Sequence, residues 1–393
     1  MEKHDLLIVG GGIGGLAAAL AASEAGIPST VFEQAPEFGE VGAGLQLGPN
    51  ALAVLDRFGV LEEIKKVAVF PKRLVLRDIY TGAEAAILDL GDKFQERYQY
   101  PYIVMHRSDL HRILLEGCKK TGKVQFKTNQ RIQTAEQTEM GVVITNQDGE
   151  KFVGDAVIGA DGIKSNIRKL MSIDDTVPSE YVAYRGTVPA DEVKGEANFD
   201  DVIMWIGPNL HLVQYPVRSG KLYNIVVVFK TYDYQEGKDW GTPEEMERRF
   251  EGAHEDAQTM LRFIEHQFKW PMYDRNPIQN WTKGKITLLG DAAHPMLQYL
   301  AQGGVQALED ASYLADMLIK HPNEYEKAFL EYQAERQPRS ARVQTSARSW
   351  GGIIHAEDPT AILLRKTIFE ARTPFDYEVC DWIYGGHKVP LKK

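Results

Sequence analysis

Three glycines near the start of the chain have the spacing of a phosphate-binding turn. Gly10, Gly12 and Gly15 form G-x-G-x-x-G, and Glu33 follows 18 residues after the last of them. In this pattern the first glycine permits a tight turn, the second lets a pyrophosphate approach the backbone, and the third lets helix and strand pack closely. An acid at about 20 residues' distance binds a ribose 2′-hydroxyl. The residues therefore predict a dinucleotide site for FAD or NAD(H), since Glu33 would repel the 2′-phosphate of NADP(H).

The elements needed to position these glycines stand around them in the expected order. Leu6–Val9 is a short apolar run typical of a buried parallel strand, Leu16–Ala25 is predicted to form a helix, and Pro28–Phe32 a second strand. A cleaved secretory signal is the alternative for this apolar stretch. It is disfavoured because residues 2–5 carry no net positive charge and because five glycines within residues 10–15 would weaken a helix.

Two later segments repeat the pattern of a buried strand that ends in an acid at a turn. Ala156–Asp161 reads AVIGAD, and Ile286–Asp291 reads ITLLGD before a helix that is predicted to begin near Gly303 and Gly304. The carboxyl ends of parallel strands line the ligand crevice of an open α/β sheet. Asp291 is therefore expected to hold a ribityl hydroxyl, and the helix N-terminus to stabilise negative charge on a flavin ring. A protein that binds only NAD needs no such third site.

Between the second and third of these strands the sequence changes to long alternating runs. Leu210–Val217 and Leu222–Lys230 flank the turn Arg218–Lys221, which predicts a hairpin within an antiparallel sheet. The stretch Asp92–Tyr102, rich in Tyr, Gln and Arg, is predicted to be a loop. The sequence thus predicts an α/β (α+β) fold, in which an antiparallel-sheet substrate domain is inserted into a Rossmann-like FAD-binding domain. The predicted ranges are 1–71, 102–176 and 277–350 for the FAD-binding domain, 72–101 and 177–276 for the substrate domain, and 351–393 for a C-terminal helical tail.

Composition limits the classes of partner. The chain has 393 residues, 44% of them hydrophobic and 25% charged, values typical of a globular protein of about two domains. Its net charge of −10 disfavours nucleic acid and anionic membrane surfaces, and no apolar run is long enough to span a bilayer. Cys118 and Cys380 lack the spacing of metal ligands and suit a reducing cytosol. We therefore predict a cytoplasmic protein without a metal site or a membrane span; monomer and homodimer both remain open.

Three motifs in this order resemble the single-component FAD-dependent aromatic hydroxylases, the group around p-hydroxybenzoate and salicylate hydroxylases. They are G-x-G-x-x-G with its distal acid, GADGIKSNIR, and GDAAHPMLQYLAQGGVQALEDA, and together they extend from Asp5 to about Arg348. The resemblance implies FAD as the bound cofactor, with NADH or NADPH bound only transiently, which agrees with the single G-x-G-x-x-G of this chain. It implies FAD contacts at Gly10, Gly12, Gly15, Glu33, Arg107, Asp161 and Asp291, with Gly303 and Gly304 beside the flavin ring.

Within this group, YVAYRGTVP, NLHLVQYPV and HPMLQYLAQGG look most like the 3-hydroxybenzoate 6-hydroxylases, which insert oxygen para to the phenol and give gentisate. The resemblance then implies a small phenolic acid and O2 as substrates. Salicylate and 6-hydroxynicotinate hydroxylases share the same motifs and fold, and they are the alternatives within this group. A flavin-dependent reductase of this fold and a non-enzymatic flavin-binding module also remain open. Glu33 does not distinguish NADH from NADPH as the reductant, because the resemblance assigns it to the binding of FAD.

Hydroxylation of a phenol sets requirements that particular side chains can meet. Reduced flavin and O2 give an electrophilic C4a-hydroperoxide, which a phenolate attacks far better than a phenol, so the pocket needs a base and must be dry. His211, Val213 and Tyr215 share one face of their strand because successive side chains alternate. A neutral histidine is a suitable base near neutral pH, and Tyr215 can donate to a carboxylate or hydroxyl. A structural histidine in a half-buried sheet is the alternative for His211.

Further polar residues complete the predicted sites. Gln298 lies a few residues after the third strand and is expected to orient the phenol or the hydroperoxide. Tyr102 is a further pocket candidate. His294 is expected to stabilise the turn after Asp291 rather than to take part in the chemistry. Arg107 stands just before Ser108, a predicted helix cap, where the alternative to a phosphate contact is a surface arginine.

Overall fold

The computed structural model describes residues 3–39, 42–232, 234–235, 240–264 and 269–385. All bounds and counts of elements refer to those residues. Eleven α-helices are formed: α1 (Ile13–Glu24), α2 (Pro49–Arg57), α3 (Leu61–Lys65), α4 (Asp92–Tyr98), α5 (Arg107–Thr121), α6 (Pro243–Arg249), α7 (Glu255–Leu261), α8 (Gly303–Lys320), α9 (Tyr325–Ile354), α10 (Pro359–Glu370) and α11 (Asp381–Tyr384). Seventeen strands are formed: β1 (Lys3–Val9), β2 (Ser29–Phe32), β3 (Gly44–Leu47), β4 (Arg73–Asp78), β5 (Glu84–Asp89), β6 (Ile103–His106), β7 (Val124–Lys127), β8 (Ile132–Thr138), β9 (Gly141–Asn146), β10 (Lys151–Gly159), β11 (Val177–Pro189), β12 (Asp201–Gly207), β13 (Leu210–Val217), β14 (Leu222–Lys230), β15 (Lys269–Asp274), β16 (Thr282–Lys283) and β17 (Ile286–Leu288).

The first sheet carries the glycine-rich turn. Its strands lie in the order β16-β17-β10-β1-β2-β7, with β9 antiparallel to β10 and β8 beyond it. Strands β17, β10, β1, β2 and β7 run parallel, and the side chains of residues 6–9 in β1 are buried, as expected for a strand covered on both faces. Helix α1 packs against α5 and α8 in the core of this layer. The predicted Rossmann-like α/β arrangement is confirmed.

The second sheet has the order β15-β11-β14-β13-β12-β4-β5. Its neighbouring strands are antiparallel, except that β12 and β4 run parallel. One face packs against α6 and α7, and the other packs against Leu297 and Tyr299, which lie between β17 and α8, and against Ile354 of α9. The strands come from residues 73–89 and 177–274, within the ranges predicted for the substrate domain, although the domain boundaries themselves stay a prediction.

The loop predicted between Asp92 and Tyr102 is wrong for its first seven residues, which form helix α4. Asp92 suits the positive end of the helix. Phe94 is fully buried, and its ring packs edge-on against Tyr98 and Tyr377. Because Tyr377 comes from the distant C-terminal segment, local composition does not reveal the packing that stabilises this helix.

Helix α9 connects the two sheets. The Tyr332 hydroxyl donates to the Leu288 carbonyl of the first sheet at 3.1 Å, and Arg348 pairs with Asp274 of the second at 2.6 Å. The helix has 30 residues and ends inside the range predicted for the C-terminal tail, where α10 and α11 follow. Neither α9 nor any other helix in the described part of the chain is long and apolar enough to cross a membrane.

Candidate active site

The carboxyl ends of four parallel strands lie side by side. In the backbone register Val9 pairs with Phe32 on one side and with Gly159 on the other, and Gly159 pairs with Leu288. The segments that follow these residues therefore open at the same edge of the sheet; those after β1, β10 and β17 are called the first, second and third turn. This is the edge at which open α/β sheets bind ligands.

The first turn needs glycine at two positions for different reasons. Gly10 has a φ of +106°, a value that favours glycine, and a Cβ there would overlap the carbonyl of Ala160. A Cβ on Gly15 would overlap the carbonyl oxygen of Gly10, so α1 can pack this closely on β1 only with glycine. Gly12 is the N-cap of α1, and no side chain of the described residues caps this helix. The N–H groups of the helix end are therefore available to an anion such as a pyrophosphate.

Glu33 follows β2 and reaches back over the glycine turn. Its Oε2 accepts the N–H of Gly11 at 2.8 Å, and its Oε1 accepts the N–H of Ala35 at 2.8 Å. Each carboxylate oxygen has a second lone pair, so a ribose hydroxyl can still bind there. The geometry fits the expected ribose contact, which stays a prediction.

Asp161 has structural partners within the second turn. Its Oδ1 accepts the hydroxyl of Ser165 at 2.5 Å, and its Oδ2 accepts the N–H of Asn166 at 2.8 Å. Burial raises the pKa of Asp161 in spite of these hydrogen bonds, which act in the opposite direction. The carboxylate therefore shapes the turn at the crevice, while its contact with FAD stays a prediction.

Arg107 is exposed at the start of α5. The helix cap differs from the prediction, because the Nδ1 of His106, and not Ser108, occupies it and accepts the N–H of Ser108 at 3.3 Å. The side-chain stem of Arg107 lies against Gly42 in the glycine-rich loop. After burial, the Arg107 charge is one of the factors that lower the pKa of Arg185, so Arg107 lies within electrostatic range of the second sheet.

The third turn places Asp291 next to the N-terminus of α8. Asp291 is exposed, and its Oδ1 lies 3.9 Å from the position that a Cβ on Gly303 would occupy. A Cβ on Gly304 would meet no atom of the described residues within 4 Å. The side chain of the N-cap residue Gln302 accepts from the Gln306 side chain at 3.0 Å but caps no backbone N–H of the helix within that part of the chain. The N-terminus of this 18-residue helix can therefore stabilise a negatively charged group.

A buried network of charges connects the third turn to helices α8 and α9. The Oδ2 of Asp310 accepts the N–H of Gly290 at 3.0 Å and lies 2.6 Å from the Nε2 of His294, while Arg336 donates to its Oδ1 at 2.8 Å. Burial alone would raise the pKa of Asp310, but His294 and Arg336 lower it overall. His294 thus contacts the turn through Asp310. The described residues contain no group of His, Cys, Asp or Glu side chains arranged to hold a metal ion.

The three turns together fit a dinucleotide that carries a flavin. A Cβ on Gly14 would lie 3.1 Å from the Leu289 side chain and 3.5 Å from that of Ala307, so the first turn packs directly on the third turn and α8. The end of α1 suits a pyrophosphate, and the end of α8 suits the electron-rich part of a flavin ring. These two helix ends are the features by which the chain would hold FAD.

One face of the second sheet carries polar side chains toward this crevice. His211, Val213 and Tyr215 alternate along β13 with residues that belong to the core on the opposite face. Residues directly opposite each other on neighbouring strands project from the same face. Arg185 pairs with Val226, and Val226 pairs with Val213, so Arg185 projects from the same side as His211 and Tyr215.

His211 lies in an aromatic enclosure with 1% of its surface exposed. Its Nδ1 is 2.7 Å from the Nε2 of His355, and the ring of Tyr299 lies edge-on at a centroid distance of 5.7 Å. Burial, followed by His355 and Arg185, holds the pKa of His211 well below its ordinary value. The imidazole is therefore neutral near pH 7, which is the form that accepts a proton.

Gln46 of β3 joins Tyr102 to Tyr215. The hydroxyl of Tyr102 donates to the Oε1 of Gln46 at 2.7 Å, and Gln46 also hydrogen-bonds Tyr215. The N–H of Gly44 donates to the Oδ1 of Asn224 at 2.6 Å, and a Cβ on Gly44 would contact the Tyr215 ring, so the glycine-rich loop lies directly over Tyr215. Burial raises the pKa of both tyrosines, which act as hydroxyl donors rather than bases.

Arg185 is a further residue on the face of His211 and Tyr215 that strand alternation alone does not identify. It is partly buried and donates to the Oε1 of Gln298, and its Nε has no hydrogen-bond partner within the described residues. Burial lowers the pKa of Arg185, although an arginine stays charged, and no carboxylate of that part of the chain pairs with it. Partial burial of a cation without a counter-charge is unfavourable, so this position beside Tyr215 is suited to an anionic ligand.

The fold and the site define a flavin-dependent enzyme. The family described as "FAD binding domain" matches residues 3–347, and the chain belongs to that family. The predicted FAD cofactor is thereby confirmed.

Named relatives refine this class. The chain is 41% identical over 382 residues to the "3-hydroxybenzoate 6-hydroxylase" of Polaromonas naphthalenivorans (strain CJ2), covering 97% of this chain and 95% of the relative. It is 36% identical over 381 residues to the enzyme of the same name from Klebsiella oxytoca, covering 96% of each. The crystal structure of a variant of Klebsiella pneumoniae HpxO with FAD superposes with a TM-score of 0.86 at 25% identity, covering 98% of this chain and 99% of that one. The predicted class, a FAD-dependent aromatic monooxygenase, is confirmed.

Proposed function

We propose that this protein hydroxylates 3-hydroxybenzoate at the carbon para to the phenol and so forms gentisate (2,5-dihydroxybenzoate). One atom of O2 enters the ring and the other leaves as water, while NAD(P)H gives up two electrons and one further proton is consumed. The chemistry that FAD would supply when bound is acceptance of these electrons and their transfer to O2, which makes one oxygen atom electrophilic. The observation that carries the proposal is one face of the second sheet that combines a partly buried cation, Arg185, with a neutral imidazole, His211.

The cation suits the substrate carboxylate. Arg185 and His211 lie two strands and two residues apart, which places their Cα atoms about 12 Å apart at ordinary strand spacing. Side chains that extend toward each other across this span can hold the two ends of one aromatic ring. Tyr215, whose hydroxyl stays protonated, is the second donor to the carboxylate.

The imidazole suits the phenol. His211 accepts the phenol proton, and the phenolate that results is the stronger nucleophile toward the electrophilic oxygen. Because the Oε1 of Gln298 accepts a hydrogen bond from Arg185, its amide N–H groups remain to donate to the phenolate oxygen. His211 and Gln298 would thus hold the phenol end of the ring, which leaves the para carbon at the opposite end for oxygen insertion.

The walls of the pocket suit a reaction that must exclude water. Val213, Leu297 and Tyr299 are buried in one apolar cluster around the polar groups. A dry pocket protects the reactive oxygen from loss as hydrogen peroxide. The same surroundings strengthen each polar contact to the substrate.

A screen of aromatic acids tests the proposed function. Purified protein is mixed with NADH or NADPH and with 3-hydroxybenzoate, benzoate, salicylate or 6-hydroxynicotinate, and products are identified by chromatography. We expect 3-hydroxybenzoate to accelerate flavin reduction and to yield gentisate, and benzoate, which has no phenol, to yield no product. Hydroxylation of salicylate or 6-hydroxynicotinate but not of 3-hydroxybenzoate would reject the substrate, and NAD(P)H oxidation without any oxygenated product would favour a reductase.

Replacement of Arg185 by glutamine is expected to raise the KM for 3-hydroxybenzoate by about 10- to 100-fold, because a hydrogen bond to a charged group contributes about 1.5–3 kcal/mol. Arg185→Lys keeps the charge but loses the planar guanidinium, so its KM should lie between those of wild type and Arg185→Gln. Arg77→Gln is the matched control, since Arg77 packs over Trp205 on the opposite face of the same sheet. Steady-state kinetics at fixed NADH measure the effect. An unchanged KM in Arg185→Gln would show that the substrate carboxylate binds at another residue.

We also propose a cytoplasmic location. Cys118 and Cys380 are both free, and Cys118 is buried. Free thiols without a disulfide partner are typical of proteins from reducing compartments. Localisation of a tagged full-length chain by cell fractionation checks this assignment.

A further inference from the structure

His355 occupies a fixed position at the end of helix α9. It directly follows the last residue of the helix, and 4% of its surface is exposed. Its backbone carbonyl accepts the N–H of Asn209, two residues before His211. Arg365 of α10 donates to two of the last carbonyl oxygens of α9, at 3.1 and 2.9 Å. Backbone contacts on both sides therefore hold the His355 ring against the second sheet.

The two imidazole rings meet edge to edge. The Nδ1 of His211 and the Nε2 of His355 are 2.7 Å apart, the ring planes differ by 17°, and the centroids are 5.0 Å apart. Rings stacked face to face would keep their atoms about 3.5 Å apart or more, so the short N···N distance indicates a hydrogen bond. Tyr181 stacks on His355 at 4.7 Å, and Tyr299 lies edge-on to both rings.

This hydrogen bond links the tautomers of the two rings. A neutral imidazole has one N–H and one lone pair. If the Nδ1 of His211 carries the hydrogen and donates it, the Nε2 of His211 keeps the lone pair that a base requires. If the Nε2 of His355 donates instead, the Nε2 of His211 carries the hydrogen and cannot accept a phenol proton.

The surroundings keep His355 neutral, a form that is able to accept the hydrogen bond. Burial, followed by the Arg365 cation, lowers the pKa of His355 to about 3. His355 is therefore neutral near pH 7, and its Nε2 can accept a hydrogen bond from the Nδ1–H of His211. The other titratable or charged groups that face the pair or its tyrosine neighbours are Arg185, Tyr181, Tyr299, Tyr232, Asp274, Glu180 and Glu357.

We infer that His355 is a positioning residue for His211, an inference that rests on the proposed function. The Nε2 of His355 accepts the hydrogen bond from the Nδ1–H of His211 and so holds the tautomer in which the Nε2 of His211 takes the phenol proton. When that proton arrives, the bond between the rings becomes charge-assisted and strengthens. His355 acts through His211 and contacts neither the substrate nor the flavin.

Two variants distinguish the role of His355 as a hydrogen-bond acceptor from its role as a ring that fills space. His355→Phe keeps an aromatic ring between Tyr181 and Tyr299 but has no acceptor, whereas His355→Gln offers an amide oxygen near the Nε2 position. We expect the phenylalanine variant to keep FAD and the KM for 3-hydroxybenzoate but to lose hydroxylation by about 10- to 100-fold, less than the full effect of a lost base. The glutamine variant should stay within about fivefold of wild type, since the acceptor is restored.

The pH profile is a readout that packing alone does not change. A phenol ionises with a pKa of about 10, so at alkaline pH more substrate arrives as phenolate and needs no base. The ratio of gentisate to NADH consumed should therefore recover with rising pH in His355→Phe. Equal loss in both variants, or a loss that alkaline pH does not reverse, would show that the ring only fills space and would overturn the inference.

The tautomer can also be read without turnover. Nitrogen NMR of the holoenzyme with labelled histidine, assigned with His211→Ala, should show hydrogen on the Nδ1 of His211 in wild type and a shift toward Nε2 in His355→Phe. Hydrogen on the Nε2 of His211 in wild type would overturn the inference whatever the substrate is. Hydrogen on Nδ1 in a protein that fails to hydroxylate 3-hydroxybenzoate would support the tautomer and reject the proposed substrate.

Discussion

A valine at Gly12 is expected to give a folded protein that is nearly devoid of FAD. Gly12 has φ −75° and ψ −174°, a conformation that any residue adopts, so the substitution does not strain the backbone. In this motif glycine at the second position lets a pyrophosphate approach the end of the helix closely, and we expect the same at α1. Crowding at such a contact costs about 3 kcal/mol, which corresponds to binding that is weaker by about 100-fold.

Flavin absorbance of the purified protein measures this loss, and the melting temperature checks the fold. Gly352→Val is the matched control, because Gly352 is exposed on α9 and a Cβ there meets no atom within 4 Å among the described residues. We expect the control to be yellow and to bind FAD with wild-type affinity. An unchanged affinity for FAD in Gly12→Val would show that the pyrophosphate does not bind at this turn.

The flavin crevice is predictable because each of its parts is local in the sequence. A buried strand that ends in glycine or an acid is visible within a few residues, and parallel strands of this class bring their carboxyl ends to one edge. The register of Val9, Gly159 and Leu288 realises that rule. The common face of His211 and Tyr215 likewise follows from alternation along a single strand.

The rest of the pocket depends on contacts between distant segments. Arg185 reaches the face of His211 only through the register of β11, β14 and β13, which no local pattern contains. His355 follows a long helix in a stretch without a periodicity that points toward the second sheet. Helix α4 depends in the same way on the packing of Phe94 against Tyr377. The side chains that tune the site were therefore harder to predict than those that build the crevice.

Replacement of His211 by alanine is expected to lower the rate of oxygen insertion by about 10²- to 10⁴-fold, the usual contribution of a general base. FAD should remain bound, because the three turns that would hold it lie on the first sheet. Electrons from NADH should then leave as hydrogen peroxide, since the reactive oxygen meets a phenol rather than a phenolate. Tyr215→Phe, which removes a donor and no base, should mainly raise the KM.

The lowered pKa of His211 sets the direction of the pH dependence. A histidine whose pKa lies well below its ordinary value of about 6.5 stays neutral down to that pH and beyond. The ratio of gentisate to NADH consumed should therefore be flat in wild type from neutral pH to about 6.5 and fall only on further acidification. In His211→Ala the ratio should instead rise toward alkaline pH, where the substrate phenol ionises without help.

Parallel assays of gentisate, NADH and hydrogen peroxide distinguish a base from a structural histidine. His254→Ala is the control, because His254 stacks on Trp205 in the core on the opposite face of the same sheet, and its loss should leave coupling unchanged. If His211→Ala keeps nearly normal coupling and rate, His211 is structural. Tyr102 and Tyr215 cannot replace it, since burial raises the pKa of both hydroxyls. The phenol proton would then have to leave to solvent, and the inference drawn for His355 would fail with it.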